Sequence, residues 1–174
     1  QEPEGTVAIE IMGPDPADQD LLIVTGDVTL GGTLQVIFAG YAPRAADTFS
    51  FLDVVGAFRA DGFQVVISGL RDDFESKCEL ADGMLTLTAL TDGQPLTADD
   101  PIQTVNVTVT PDGAIRWPFF GIEGITYHFE SSTDLSEWAD VSQAVGEGNL
   151  QTFSHQSVGA VTSRYYRIRT NGEE

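Results

Sequence analysis

Side chains with the chemistry for catalysis are few in this sequence, and their spacing does not favour a reaction. The chain has two histidines, His128 and His155, and one cysteine, Cys78. His155 directly follows Ser154, but adjacent residues of a strand point to opposite faces, which argues against a nucleophile–base pair. His128 stands between two aromatic residues of an alternating run, which predicts an outward surface position. No HExxH, CxxC, GxSxG, P-loop or dinucleotide-binding motif occurs. We therefore expect no catalytic residue and no enzyme activity.

Carboxylates are the abundant polar groups, with 27 acidic residues against 8 basic ones and a net charge of −19. Nucleic acid is a poor partner for such a charge, because binding requires Lys and Arg to neutralise phosphates. The segment GPDPADQD brings together Asp15, Asp18 and Asp20 and is a candidate for a Ca²⁺ site, as is the pair Asp99–Asp100. Neither spacing matches the EF-hand or the repeated nonapeptide calcium motif. The scattered acids favour solubility or adaptation to salty surroundings, and we expect no cofactor.

The elements that must position these side chains are strands. Runs rich in Val, Ile, Thr, Phe and Tyr recur between Gly, Asp and Pro, and helical periodicity is hard to find. These patterns predict strands at residues 6–12, 21–30, 33–38, 48–54, 63–67, 84–90, 104–110, 114–120, 126–131, 151–155 and 163–170. The run FESKCEL around Cys78 also alternates as a strand does. Short strands without intervening helices predict an all-β architecture.

A Pro-, Gly- and Asp-rich segment, TDGQPLTADDP, separates two differently patterned halves and predicts a domain boundary. We expect a first domain at residues 1–92, a linker at 93–101 and a second domain at 102–174. No window has the roughly 18 to 20 consecutive apolar residues of a membrane span. The first residues, QEPEG, have neither the basic nor the apolar region of a signal peptide, as in a secreted protein whose signal has been removed.

The first half contains LIVTGDVTLGGTLQVIF (residues 22–38) and APRAADTFSFL (residues 42–52). These stretches resemble the terminal segment of passenger regions in autotransporter-like and other bacterial repeat surface proteins. The resemblance implies the end of a parallel β-helix, exposed on a surface and without catalytic residues. Alternation in the same stretch places Val28, Leu34 and Val36 inward and leaves Thr29 and Gln35 on a face that water can reach.

Three apolar residues depart from that family pattern, which has polar residues at the outward positions. They are Leu21, Ile23 and Ile37. Either a neighbouring loop or the second domain covers them, or they form a face for another subunit, since contiguous exposed apolar patches mark interaction sites.

The second half contains YHFESSTDLSEW (residues 127–138) and RYYRIR (residues 164–169). Both motifs resemble a C-terminal β-sandwich module of bacterial surface and secreted proteins, which implies an immunoglobulin- or fibronectin-like sandwich. In the last strand, alternation directs Arg167 and Arg169 outward. They either recognise acidic groups on a partner or pair locally with Glu130 or Asp134.

Two function classes follow. The leading expectation is an extracellular structural protein that self-assembles into a filament or surface layer through strand edges and apolar faces. The alternative is a cell-surface adhesion module that binds a glycan or a protein. Its candidate sugar platform is Trp117, Phe119 and Phe120 in RWPFFG, although such residues more often belong to a core.

Overall fold

A computed structural model describes residues 5–60, 62–156 and 163–171, and its chain divides into two compact units, residues 1–96 and 97–174. The described residues form fifteen β-strands and a single 3-10 turn at Pro16–Asp18, which confirms the all-β prediction. They contain no helix of the length and apolar character that crossing a membrane requires. Each unit is described by itself below.

Unit 1 consists of nine strands. They are β1 (Thr6–Ile11), β2 (Leu22–Val24), β3 (Val28–Leu30), β4 (Thr33–Phe38), β5 (Thr48–Val54), β6 (Phe58–Ala60), β7 (Gln64–Ser68), β8 (Ser76–Ala81) and β9 (Met84–Ala89).

The first seven strands wind as stacked coils. Strand β1 pairs in parallel with β4, and β4 with β7, while β2 pairs in parallel with β5 and β3 with β6. We call β1–β3 the first coil and β4–β6 the second coil; β7 begins a third level. Inward residues stack from level to level, as in the row Val7, Leu34 and Val65. Each coil thus buries its apolar side on the next coil, which is the principle of a β-solenoid.

The corner between the second and third strands repeats in both coils. It interrupts the single strand predicted at residues 21–30, which the structure divides into β2 and β3. The carboxylate of Asp27 accepts the N–H of Ala57 at 2.8 Å. A Cβ on Gly56 would lie 2.5 Å from the carbonyl carbon of Gly26. The two corners therefore stack so closely that Gly56 is required.

A hairpin closes one end of this stack. Strand β9 pairs antiparallel with β5, and β8 pairs antiparallel with β9, so the sheet order is β2-β5-β9-β8. The loop residues Asp82 and Gly83 have φ angles of 51° and 81°, which two-residue hairpin turns of the primed kind require. Antiparallel pairing replaces the parallel pairing of the coils at this end.

The core of unit 1 is apolar and contains the inward residues of all three levels. Phe38, Phe49 and Phe51 are at most 1% exposed. Gln35 is also buried, with its Nε2 atom 3.1 Å from the Ser68 hydroxyl. The prediction that Gln35 faces water is therefore wrong, because the central strand β4 is buried on both faces.

Unit 2 packs two antiparallel sheets of three strands each, in the orders β10-β11-β14 and β13-β12-β15. Its strands are β10 (Thr108–Val109), β11 (Ala114–Gly121), β12 (Thr126–Ser132), β13 (Ala139–Val145), β14 (Asn149–Gln156) and β15 (Tyr165–Thr170). Phe119 and Phe153 from one sheet meet Phe129 from the other, with the rings of Phe129 and Phe153 stacked at 5.2 Å. These rings form the sandwich core.

Several strand boundaries differ from the predicted ones. The run at residues 104–110 forms only the short β10 and an isolated bridge between Thr104 and Phe119. Strands β6 and β13 were not predicted, because FRA is short and ADVSQAV alternates weakly. Gly93 is buried against Pro43 and Leu70, and its N–H donates to the Pro43 carbonyl at 2.7 Å. The start of the predicted linker therefore packs within unit 1, which extends to Leu96.

Candidate functional site

The first coil leaves an apolar cavity open at the end of the solenoid opposite the hairpin. The cavity has a volume of about 300 Å³. Its lining consists mainly of the inward side chains of the first coil: Val7, Ile9, Leu22, Val24, Val28 and Leu30. Leu22 lines this cavity and is nevertheless 45% exposed. We call the β1 and β2 edges around the cavity mouth the open rim.

Hydrogen bonds show which way the backbone of β1 points. The carbonyls of Gly5 and Ile11 accept the N–H groups of Thr33 and Ala39, at 2.9 Å each, so odd-numbered residues face β4. N–H and C=O groups of successive strand residues alternate between the two sides. The backbone groups of Thr6 and Ala8 therefore point to the open side, where no strand pairs with β1 in the described part of the chain.

The backbone of Glu10 also faces the open side, but its N–H and C=O groups already have hydrogen-bond partners. The N–H of Glu10 donates to the carboxylate of Asp20 at 2.9 Å, and the N–H of Asp20 donates to the Glu10 carbonyl at 3.0 Å. The loop after β1 thus covers the C-terminal end of the β1 edge. Among the residues that the structure describes, Thr6 and Ala8 remain as its accessible hydrogen-bonding positions.

Strand β2 supplies the second edge of the rim. The Val24 carbonyl accepts the N–H of Val55 at 3.0 Å, so Val24 faces β5 and the backbone of Ile23 faces the open side. The side chains of Leu21 and Ile23 are 51% and 60% exposed. Both residues thus lie on the surface, as one of the two sequence interpretations requires.

Ile37 does not belong to that surface. It is only 5% exposed, because β4 is the central strand of its sheet and is buried on both faces. The prediction that Ile37 contributes to an exposed apolar face together with Leu21 and Ile23 is wrong.

The aspartates of the predicted calcium segment have other roles in this structure. Asp20 accepts the N–H of Glu10, and the backbone of Asp18 closes the 3-10 turn by donating to the Asp15 carbonyl at 2.9 Å. Among the described residues, no group of three or more His, Cys, Asp or Glu side chains has an arrangement that fits a metal ion.

The two outward arginines of the last strand pair within unit 2. The Nε atoms of Arg167 and Arg169 lie 2.6 Å and 2.8 Å from the two carboxylate oxygens of Glu130, which is only 4% exposed. Burial alone would raise the pKa of Glu130, but the hydrogen bonds from Arg169 and Arg167 hold it below its ordinary value. The guanidinium of Arg167 also lies over the Trp138 ring at 4.3 Å. Local pairing therefore occupies both arginines.

The aromatic segment RWPFFG is part of the core. Phe119 and Phe120 are 0% and 5% exposed, and the Trp117 ring packs edge-on against Phe129 at 5.9 Å. Phe119 and Phe120 cannot form a sugar-stacking surface, because no ligand reaches their faces. The candidate platform of Trp117, Phe119 and Phe120 is therefore wrong.

A polar cavity that the sequence did not indicate lies elsewhere in unit 2. Its volume is about 380 Å³, and Asp134, Glu137, Trp138 and Arg164 are among its lining residues. The Nε atom of Arg164 is buried without a hydrogen-bond partner. The N–H groups of Glu137 and Ser136 donate to the Asp134 carboxylate and lower its pKa strongly. Asp134 therefore stays ionised at the edge of this cavity.

Both histidines make side-chain contacts within unit 2. The Nδ1 and Nε2 atoms of His128 lie 3.3 Å from an Asp140 oxygen and 2.6 Å from the Asn171 amide oxygen, and its side chain is 13% exposed. His128 lies on the outward face as predicted, opposite the buried Tyr127 and Phe129, but β13 and the residue after β15 cover most of its side chain. His155 contacts the Tyr166 hydroxyl at 3.2 Å and not Ser154.

The open rim was only partly visible in the sequence. Alternation identified the inward residues, but which side of the β1 backbone is unpaired depends on the order of the coils, which no local pattern encodes. Comparison of the chain with protein-family models, with curated proteins and with solved structures gave no match.

Proposed function

We propose that the chain is a non-enzymatic, extracellular structural protein that self-assembles into a filament or surface layer through strand edges and apolar surface. The observation that carries the proposal is the open rim. There, strand backbone that pairs with no other strand in the described part of the chain borders an apolar cavity of about 300 Å³. Edge strands with free N–H and C=O groups are templates for pairing with another chain.

The exposed apolar side chains add to this support. Leu21, Leu22 and Ile23 are consecutive and each is at least 45% exposed. Complete burial of such a side chain contributes about 1.5 to 3 kcal/mol, and roughly half of that remains to be gained on association because each is already about half buried. The net charge of −19 opposes association at low ionic strength, so assembly is expected to increase with salt.

Sedimentation velocity of the full chain, over a concentration series at about 0.05 M and about 1 M salt, tests the proposal. We expect species larger than the monomer that grow with concentration and are favoured at the higher salt. A monomer at every concentration and salt would reject self-assembly.

A second candidate function, an adhesion module that binds a surface glycan or protein, is supported by the polar cavity beside Trp138. The cavity combines an aromatic ring, the Asp134 carboxylate and the unpartnered Arg164 Nε atom, which are groups that hydrogen-bond and stack against sugars. Glycan-array binding that Trp138→Ala abolishes in a folded protein would favour this function. Asp140→Ala, a change outside the cavity lining, is the matched control.

A further inference from the structure

Resting on the self-assembly proposed above, we propose that the open rim is a self-complementary contact. Two copies dock rim to rim, strand β1 of each pairs antiparallel with β1 of the other, and the contact closes at two copies. A filament or layer would then grow from this dimer through a different surface, for which the exposed apolar side chains of Leu21 and Ile23 are the candidates.

The partner at the rim is a second copy in this orientation because the two ends of the solenoid differ. Stacking the rim of one copy on the far end of another would require three strand edges that end at the same level. At the far end, β7 adds one strand beyond the second coil and β9 and β8 add two, whereas β6 is itself the edge of its sheet. The far end therefore does not match a coil, and the matching surface for a rim is a second rim. Contacts between identical patches have two-fold symmetry and do not propagate.

The register follows from the two accessible backbone positions. In an antiparallel pair centred on Val7, Thr6 of one copy lies opposite Ala8 of the other. Both residues point their N–H and C=O groups outward, so each Thr6–Ala8 pair exchanges two hydrogen bonds. Glu10 is not needed, which agrees with its bonds to Asp20.

The same register joins the apolar cavities. Val7 lines the cavity, and in this pairing it faces Val7 of the second copy across a non-hydrogen-bonded pair, where side chains approach most closely. The two cavity mouths then cover each other, and the exposed part of Leu22 leaves water. Strand pairing and apolar burial thus act at one contact.

The charges at the rim make this contact depend on salt. Asp27 lines the cavity, and Glu10 and Asp20 lie at the end of the β1 edge. The contact also brings together two chains that each have a net charge of −19, so their acidic groups repel one another. Screening over about 10 Å at 0.1 M salt shortens to about 3 Å at 1 M, so the dimer is expected at high salt first.

Cross-linking of the full chain tests the register. In a Cys78→Ala background, Val7→Cys places a thiol beside its two-fold equivalent, a geometry that suits a disulfide across a non-hydrogen-bonded strand pair. We expect oxidation at 1 M salt to give a covalent dimer. The matched control is Glu79→Cys in the same background, which puts an exposed thiol on β8 at the far end and is expected to stay monomeric under oxidation.

A second variant tests the edge itself. Ala8→Pro removes an N–H that points away from β4, so the β1–β4 ladder is retained, as proline is tolerated on strand edges. We expect dimerisation to weaken about tenfold or more while the melting temperature of the subunit stays unchanged. If Ala8→Pro disturbs the first coil, the cross-link at Val7→Cys still decides the question.

The outcomes separate this inference from the proposed function. Two outcomes would reject the rim contact without rejecting self-assembly. One is that Ala8→Pro assembles beyond the dimer at the wild-type rate. The other is a cross-link at Glu79→Cys but not at Val7→Cys. A chain that is monomeric throughout overturns both the rim contact and self-assembly. If the chain is monomeric but binds a synthetic peptide of residues 33–60, the second coil, then the partner at the rim is a further coil. That result would reject the proposal that the partner is a second copy.

Discussion

Glu10 and Asp20 exchange two hydrogen bonds, one from the Glu10 N–H to the Asp20 carboxylate at 2.9 Å and one from the Asp20 N–H to the Glu10 carbonyl at 3.0 Å. The pair satisfies the last outward-facing backbone position of β1. It limits the accessible edge to Thr6 and Ala8, as a capping side chain does for a helix end. The aspartate that the sequence suggested as a calcium ligand therefore terminates a strand edge.

Asp20→Ala is expected to lower the free energy of unfolding by about 1 kcal/mol, because the Glu10 N–H loses its acceptor at a partly exposed site. It should also strengthen self-association at low salt, since it lengthens the free edge and removes a charge. Urea unfolding and sedimentation velocity measure the two effects. Asp20→Asn retains an acceptor oxygen, so a loss of stability equal to that of Asp20→Ala would contradict the role of this hydrogen bond.

The sequence predicted the fold class and most strands, because alternation is a local property of the chain. Residues 33–38 and 48–54 were predicted with the observed bounds. The errors at Gln35 and Ile37 have a common physical cause. Both lie on β4, and a central strand of a parallel sheet can be buried on both faces, which alternation alone does not reveal.

The site was harder to predict than the fold. Leu21 and Ile23 stood out as apolar residues at outward positions, and both are exposed. The unpaired side of β1 and the hairpin that closes the far end depend on which strands become neighbours across long sequence separations. Arg167 and Arg169 pair across β12 and β15 with Glu130, one of the local partners that the sequence suggested.

Leu21→Thr with Ile23→Thr should weaken self-association and leave the melting temperature of the subunit unchanged. Both side chains are more than half exposed, and threonine keeps the strand propensity. Ile37→Thr is the contrasting variant. Its buried hydroxyl should cost about 1 to 3 kcal/mol of subunit stability. Differential scanning calorimetry with light scattering distinguishes the two, and equal thermal destabilisation by both variants would place Leu21 and Ile23 in the core.

Residues 97–174, expressed alone, should fold. They form a separate compact unit with their own aromatic core around Phe119, Phe129 and Phe153. A boundary placed at residue 93 would remove from unit 1 the segment around Gly93, which packs on Pro43 and Leu70. A fragment of residues 1–96 should therefore be more stable than a fragment of residues 1–92. Dispersed amide NMR spectra of 97–174 and of 1–96 would agree with this division. A collapsed spectrum of 97–174 would show that the sandwich depends on residues of unit 1.

The stability of unit 2 should fall in acid because of Glu130. Its pKa is below the ordinary value of 4.5 in the folded state, since the hydrogen bonds from Arg169 and Arg167 outweigh the effect of burial. A carboxyl with a lowered folded pKa stabilises the protein above its unfolded pKa, and this contribution is lost as pH falls through the folded value. Asp134, whose pKa is also lowered, acts in the same direction.

Urea unfolding between about pH 3 and about pH 7, a range that includes the ordinary Glu pKa of about 4.3, measures this effect. Tryptophan fluorescence reports on unit 2 alone, because both tryptophans, Trp117 and Trp138, lie there. Glu130→Gln should destabilise unit 2 by about 1.5 kcal/mol at pH 7, at the lower end for charged hydrogen bonds because Arg167 can turn to solvent. It should also flatten the acid dependence. Glu147→Gln, the same change at an exposed residue of unit 2, is the matched control. An acid dependence that Glu130→Gln leaves unchanged would mean that other carboxylates, such as Asp134, cause the loss.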